Sequence, residues 1–204
     1  MKVCFVDLDN TLLTIDSFKL FLFKWLIQNK ISSILKTHLI LKVIFLYLFN
    51  KKDVYKKKLK QDLIKIFFLN NKKNKIIKFL NSFSNSLKIK INKKVLSKIF
   101  YYKKKGYLIC IATASPDFYV EKFAYKIGIR KVISTKTKIG YNSFKFIGPN
   151  CKGIFKKKKI LKEFPNLNQY KSVFFTDDLV DLPVIKICNQ NYLVKGNSIR
   201  KYIK

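Results

Sequence analysis

Two carboxylates stand two residues apart, directly after an apolar run, in V-D-L-D-N-T-L at positions 6–12. The run K-V-C-F-V (2–6) is β-branched and aromatic and stops at Asp7, the pattern of a buried strand that delivers a loop. If the chain turns there, Asp7 and Asp9 face one small volume. One carboxylate can then attack phosphorus and also bind a divalent cation, while the other protonates a leaving oxygen and afterwards activates water. The backbone carbonyl of Asp9 offers a further hard oxygen ligand. Thr11 can hold the loop or a phosphate oxygen. The background gives the pair weight: of only 11 acidic residues, five (Asp7, Asp9, Asp177, Asp178 and Asp181) fall in two short clusters.

The elements that must position these groups are legible as apolar runs. Y-L-I-C-I-A-T (107–113) follows Gly106 and ends near Ser115-Pro116, and K-S-V-F-F-T (171–176) ends at Asp177. Three such strands, each ending in a polar loop and followed by a helical pattern, imply a doubly wound α/β fold with a parallel sheet. In such sheets a ligand sits beyond the carboxyl ends of the strands, where all three loops lie. The stretch 17–105 is too long for a single crossover. We read 17–90 as an all-helical cap inserted after the first strand and 92–105 as the helix returning to the sheet. Residues 1–16 and 91–204 then form the catalytic core. Within it, 131–134 predicts a strand, 135–148 a hairpin or extended excursion, and 152–164 a helix ending before Pro165. The tail predicts a last strand at 192–194 and a short helical end.

With 204 residues, 49% of them apolar, the chain can bury a sizeable core and is not a disordered polymer. Its formal charge of +33 is nearly all lysine, since Arg130 and Arg200 are the only arginines. Arginine is the better residue for bidentate base and phosphate contacts. The charge therefore reads as a solvated lysine surface that draws anions, not as a specific nucleic-acid site. Cys4, Cys110, Cys151 and Cys188 form no C-x-x-C pair, and His38 is the only histidine, which argues against zinc. Cys4 and Cys110 fall inside apolar runs and read as core residues, so a reducing, cytoplasmic setting is expected, either free or peripheral at the inner face of a membrane. Asp7 and Asp9 interrupt the apolar start, so no cleavable signal is expected.

The cap's first half is greasy: S-F-K-L-F-L-F-K-W-L-I-Q (17–28) and I-S-S-I-L-K-T-H-L-I-L-K-V-I-F-L-Y-L-F (31–49). Lys36, His38 and Lys42 interrupt the second run. Three readings stay open for it: a buried helix pair, an amphipathic surface resting on a membrane, or a span. The lysine-rich 51–61 could meet anionic headgroups, or be only a solvated face.

D-L-D-N-T resembles the D-x-D-x-T signature of the haloacid dehalogenase-like superfamily, whose phosphatases form an aspartyl-phosphate. The superfamily's other elements can be matched in order. I-C-I-A-T-A-S-P places Thr113, followed by Ala114, where a strand-ending Thr or Ser binds the phosphoryl group. Ser115-Pro116 then opens the next helix. N-C-K-G-I-F-K (150–156) resembles the N-C-x-G-x-x-K segment of the helical-cap branch and selects Lys156, with Lys157 a close competitor. T-D-D-L-V-D-L-P (176–183) resembles G-D-S-x-x-D-L-P, making Asp177 a metal ligand and Asp181 its support. Thr176 for glycine and Asp178 for serine are departures, with Asp178 expected to face solvent.

The resemblance implies a Mg²⁺-dependent phosphomonoester hydrolase of the phosphoserine-phosphatase-like branch. In it Mg²⁺ is held by Asp7, Asp9 and Asp177, the chemistry is done by Asp7 and Asp9, the phosphate is bound by Thr113, Ala114 and Lys156, and Thr11 and Asp181 give support. An acid at position 9 favours a phosphatase over a dehalogenase. T-A-S-P, N-C-x-G-x-x-K and the greasy cap are together similar to phosphatidylglycerophosphate phosphatases of the superfamily. The substrate is thus an anionic phosphomonoester, either small and soluble (phosphoserine or sugar phosphate) or a lipid phosphate, with peripheral contact to an anionic membrane and no protein partner implied. The rival is a non-catalytic anionic-lipid-binding protein on the same fold, which leaves the paired carboxylates unexplained.

Overall fold

The structure, a computed structural model, describes residues 1–28, 53–69, 72–139 and 144–203, together with Lys42 and Phe45. Seven strands form one sheet in the order β4-β3-β2-β1-β5-β6-β7: β1 (Lys2–Val6), β2 (Leu108–Pro116), β3 (Lys131–Ile139), β4 (Phe144–Ile147), β5 (Lys171–Thr176), β6 (Gln190–Lys195) and β7 (Ser198–Tyr202). The five central strands run parallel, and β4 and β7 close the edges antiparallel. The α/β class and the parallel sheet are as expected.

The centre of the sheet is covered on both faces, which is why β1 reads as an unbroken apolar run. Side chains alternate along it. Cys4 and Val6 pack on one face with Val95, Ile99, Tyr119, Val120 and Phe123. These come from α4 (Lys93–Lys104) and α5 (Asp117–Lys126). Val3 and Phe5 pack on the other face with Ile160, Val184 and Ile185, from α6 (Gly153–Glu163) and α7 (Leu182–Ile185). All four cysteines are buried thiols outside any disulfide.

Between β1 and β2 the described elements are helical: α1 (Ser17–Gln28), α2 (Asp53–Leu69) and α3 (Lys73–Ser86), then a short turn at Leu87–Lys90. Phe21 joins them. Its ring centroid lies 5.1 Å from Phe67, 5.5 Å from Phe79, 5.4 Å from Phe83 and 5.8 Å from Tyr119 of α5. The first three contacts are edge-on and that with Tyr119 is stacked, both directional arrangements that fix how the helices sit on the core.

The run 31–49 and the first part of 51–61, on which the membrane readings rest, lie outside the described residues apart from Lys42, Phe45 and the backbone from Asp53. No described helix is long and apolar enough to cross a membrane. The excursion at 135–148 is the β3–β4 hairpin. The expected helical end of the tail is instead β7, which pairs antiparallel with β6 across Gly196. Gly196 takes φ +55, so a tight Gly-Asn turn folds the tail back onto the sheet edge, where strand pairing prevails over any helical preference.

Candidate active site

In the strand order β2-β1-β5, connections depart in opposite directions on the two sides of β1, which opens a crevice beyond the carboxyl ends of β1 and β5. Asp7 ends β1, and its N–H donates to the Phe175 carbonyl of β5 at 2.9 Å. The loop then turns sharply. Asn10 sits at φ 52, the only non-glycine residue at positive φ among the described residues and a type that tolerates it. Its N–H donates to the Ile15 carbonyl at 3.1 Å, while the Leu12 N–H returns to the Asp7 carbonyl at 3.2 Å. Asp7 and Asp9 therefore reach one cavity.

That cavity has a volume of about 210 Å³, and its wall includes Asp7, Asp9, Thr113, Ala114, Lys156, Asp177 and Asp181. Thr11 stands behind it and donates its hydroxyl to Asp177 Oδ1 at 3.0 Å. The sequence-predicted residues are brought together without exception. Of the two candidate lysines it is Lys156 that lines the cavity; it is 1% exposed, and its ammonium donates to Asp7 Oδ2 at 2.8 Å and to Asp181 Oδ2. Lys157, one residue on, does not line it.

Asp181 is itself buried and accepts the Gly153 N–H on Oδ1 at 2.8 Å, so one carboxylate holds both the start of α6 and the lysine on its first turn. Gly153 allows this approach. It sits at φ +53, and a Cβ there would meet the Val180 carbonyl oxygen at 3.0 Å. Asp178 lies at the cavity rim, 39% exposed, with Lys152 at 3.1 Å. Burial would raise its pKa, but the Val180 N–H and Lys152 outweigh that and hold it low.

Electrostatics set the carboxylates apart. Burial pushes the Asp7 pKa up to about 7; Lys156 pulls it down, while Asp181 and Asp177 push it further up. Burial, then Asp16, raises Asp9, and burial raises Asp177. Lys156 goes the other way from an ordinary buried lysine. Burial lowers it, yet Asp7 and Asp181 more than compensate and keep it charged.

Three groups on the wall lie outside the four catalytic motifs. Asp16, Phe18 and Lys60 come from the start of α1 and from α2. Lys60 Nζ lies 3.4 Å from the Ala114 carbonyl and 4.4 Å from the Phe18 ring centroid. Burial lowers its pKa to about 8 against the pull of Asp9 and Asp16. Ser115-Pro116 leads into the next helix as expected, but the Ser115 side chain has a further role. β2 runs on through Pro116, α5 starts at Asp117, and the Ser115 hydroxyl donates to Asp9 Oδ2 at 2.6 Å.

The residues fit a hard divalent cation. Among the described residues no cluster of three side-chain metal ligands occurs. The wall brings the carboxylates of Asp7 and Asp177 together with Asp9, and burial raises both Asp7 and Asp177, with neighbouring acids adding to the rise. Few protein oxygens with room for water suit magnesium. Because Asp7 must lose its proton to ligate, Mg²⁺ affinity is expected to rise as pH increases from about 5 to about 8. Isothermal titration across that range measures it, and a flat or falling affinity would count against Asp7 as a ligand.

The fold and this cavity define an α/β protein with an acid-lined pocket beyond the carboxyl ends of its central strands. A family model for haloacid dehalogenase-like hydrolases matches residues 4–186, so the chain belongs to that family. No curated protein matches its sequence. Among solved structures, a protein with unknown function from Bordetella pertussis Tohama I superposes with a TM-score of 0.78 at 14% identity, covering 93% of this chain and 88% of that one. A phosphoserine phosphohydrolase-like protein from Francisella tularensis subsp. tularensis SCHU S4 gives 0.61 at 18%, covering 94% and 86%. A phosphoserine phosphatase solved as a phospho-aspartyl intermediate analogue gives 0.59 at 14%, covering 93% and 84%. At these identities the likeness is one of fold.

Proposed function

We propose that the chain is a Mg²⁺-dependent phosphatase that forms an aspartyl-phosphate on Asp7. The observation that carries this reading is the Asp7–Lys156 contact of 2.8 Å at the mouth of β1, in a cavity that also holds Asp9, Thr113 and Asp177. A carboxylate held by one lysine, with its second oxygen fixed by the Leu8 N–H at 2.8 Å, is a positioned nucleophile.

In this reading Asp7 attacks phosphorus in line while Asp9 protonates the leaving alcohol. Thr113, the backbone beside Ala114 and Lys156 stabilise charge on the phosphoryl oxygens. Asp9, now a base, activates the water that hydrolyses the aspartyl-phosphate. Asp7, Asp177 and the Asp9 carbonyl would hold magnesium, which would supply Lewis-acid neutralisation of phosphoryl charge. The helices from residues 17 to 90 act as the cap, with 1–16 and 91–204 as the catalytic core.

The leaving-group side favours a polar ester. Among the described residues, the cap-side wall of the cavity of about 210 Å³ carries Asp16 and Lys60 beside one aromatic ring, Phe18. These charged groups would meet a polar leaving group, and on a lipid phosphate they would meet the headgroup. Phosphate release with and without Mg²⁺ from phosphoserine, sugar phosphates and phosphatidylglycerophosphate tests both points. Soluble esters with charged leaving groups are expected to lead, and Mg²⁺ to be required. Lys60→Gln should lower kcat/KM on those charged esters by about tenfold, the worth of one charged hydrogen bond, and spare p-nitrophenyl phosphate. Preference for the lipid over every soluble ester would overturn this reading of the leaving group.

A further inference from the structure

Behind Asp9 lies a chain of buried hydroxyls that the reaction scheme does not use. Asp9 accepts from two donors: the Ser17 N–H on Oδ1 at 2.8 Å and the Ser115 hydroxyl on Oδ2 at 2.6 Å. Ser115 Oγ lies 3.2 Å from Ser17 Oγ, which lies 3.0 Å from the Tyr119 hydroxyl. Ser17, Ser115 and Tyr119 are all essentially inaccessible to solvent.

Each hydroxyl has one proton to give, so the direction of the chain is set by its end. While Asp9 is ionised, Ser115 spends its proton on the carboxylate and accepts from Ser17. Ser17 then accepts from Tyr119. The sequence Tyr119 to Ser17 to Ser115 to Asp9 uses every proton once. Such directional chains strengthen in a dry interior.

Ser115 also looks the other way. Its N–H donates to Thr113 Oγ1 at 3.0 Å, so one residue orients both the Asp9 carboxyl and the strand-end threonine. Ser17 is the first residue of α1, and the Tyr119 ring packs against Phe21 and Phe83 of the inserted helices. The chain thus runs from the helical insertion, through the core, to the acid.

We propose that Ser115, backed by Ser17 and Tyr119, is a positioning residue that aims the Asp9 carboxyl at the leaving oxygen in register with Thr113. The proposal rests on the phosphatase reading above. It predicts a defect confined to proton delivery. A poor leaving group needs that proton and a good one does not, and kcat/KM reports the step in which it is delivered.

The test compares kcat/KM for an alkyl phosphate and for p-nitrophenyl phosphate in wild type, Ser115→Ala and Tyr119→Phe, with melting temperatures alongside. Ser115→Ala is expected to lose about tenfold more on the alkyl ester than on the aryl ester. Tyr119→Phe, which keeps the ring, is expected to lose about threefold more on the alkyl ester. Equal losses on the two esters, or none, in folded protein would overturn the proposal; if Ser115→Ala does not fold, Tyr119→Phe makes the same comparison. Asp7→Asn separates the two levels of failure. Activity equal to wild type in Asp7→Asn sinks the phosphatase reading and this proposal with it. Activity lost in Asp7→Asn but unbiased in the serine and tyrosine variants sinks the positioning role alone.

Discussion

Asparagine at position 7 is expected to leave less than about a thousandth of the wild-type rate of phosphate release, with the fold intact. The amide is nearly isosteric and can still accept the Leu8 N–H that Asp7 Oδ1 holds at 2.8 Å. It cannot attack phosphorus, and it brings no charge to a cation. Lys156 keeps Asp181 as its partner, so no buried charge is left alone. The measurement is single-substrate phosphate release beside a thermal melt. A folded Asp7→Asn protein retaining a tenth of the activity would show that the nucleophile is elsewhere.

Lys156→Ala is expected to damage fold and activity together. The side chain is 1% exposed and is the cation between Asp7 and Asp181. Removing one member of a buried ionic group costs about 3–5 kcal/mol, because the remaining charges stay desolvated and unpaired. For a chain of this size that is a fall in melting temperature of roughly 10 °C. Loss of a preorganised donor to the phosphoryl oxygens adds a further factor of about 10² or more in kcat. Lys157→Ala, at a half-buried position off the cavity wall, should melt and turn over like wild type. Equal effects of the two substitutions would refute the assignment.

Much of this architecture can be read before any coordinates. Asp7, Asp9 and Asp177 stand out because acids are rare in a lysine-rich chain, and each follows an apolar strand whose end defines a sheet edge. Lys156 emerges from its place after N-C-x-G, not from being a lysine. The same background hides Lys60, which in sequence is one lysine among many in a helix and acquires meaning only when α2 lays it beside Ala114. Asp16 is similarly silent; its local pattern is that of a residue preceding a helix, and its N-terminal contacts with Phe18 and Lys19 fit that role. Ser115 before Pro116 has the form of a helix start. It becomes a donor to Asp9 because β2 continues to Pro116, an extension set by pairing with β3 at Thr135 rather than by local propensity. The tail carried its own signal in Gly196-Asn197, a two-residue hairpin turn that outweighs the helical look of the residues after it.

Rapid acid quench during turnover, followed by borohydride reduction and peptide mapping, interrogates the aspartyl-phosphate directly. An acyl phosphate is reduced to the alcohol, so homoserine should appear at position 7, only with substrate and Mg²⁺ present, and never in Asp7→Asn. Steady turnover with aspartate unaltered at position 7, or with phosphate found on a hydroxyl such as that of Thr113, would contradict the account.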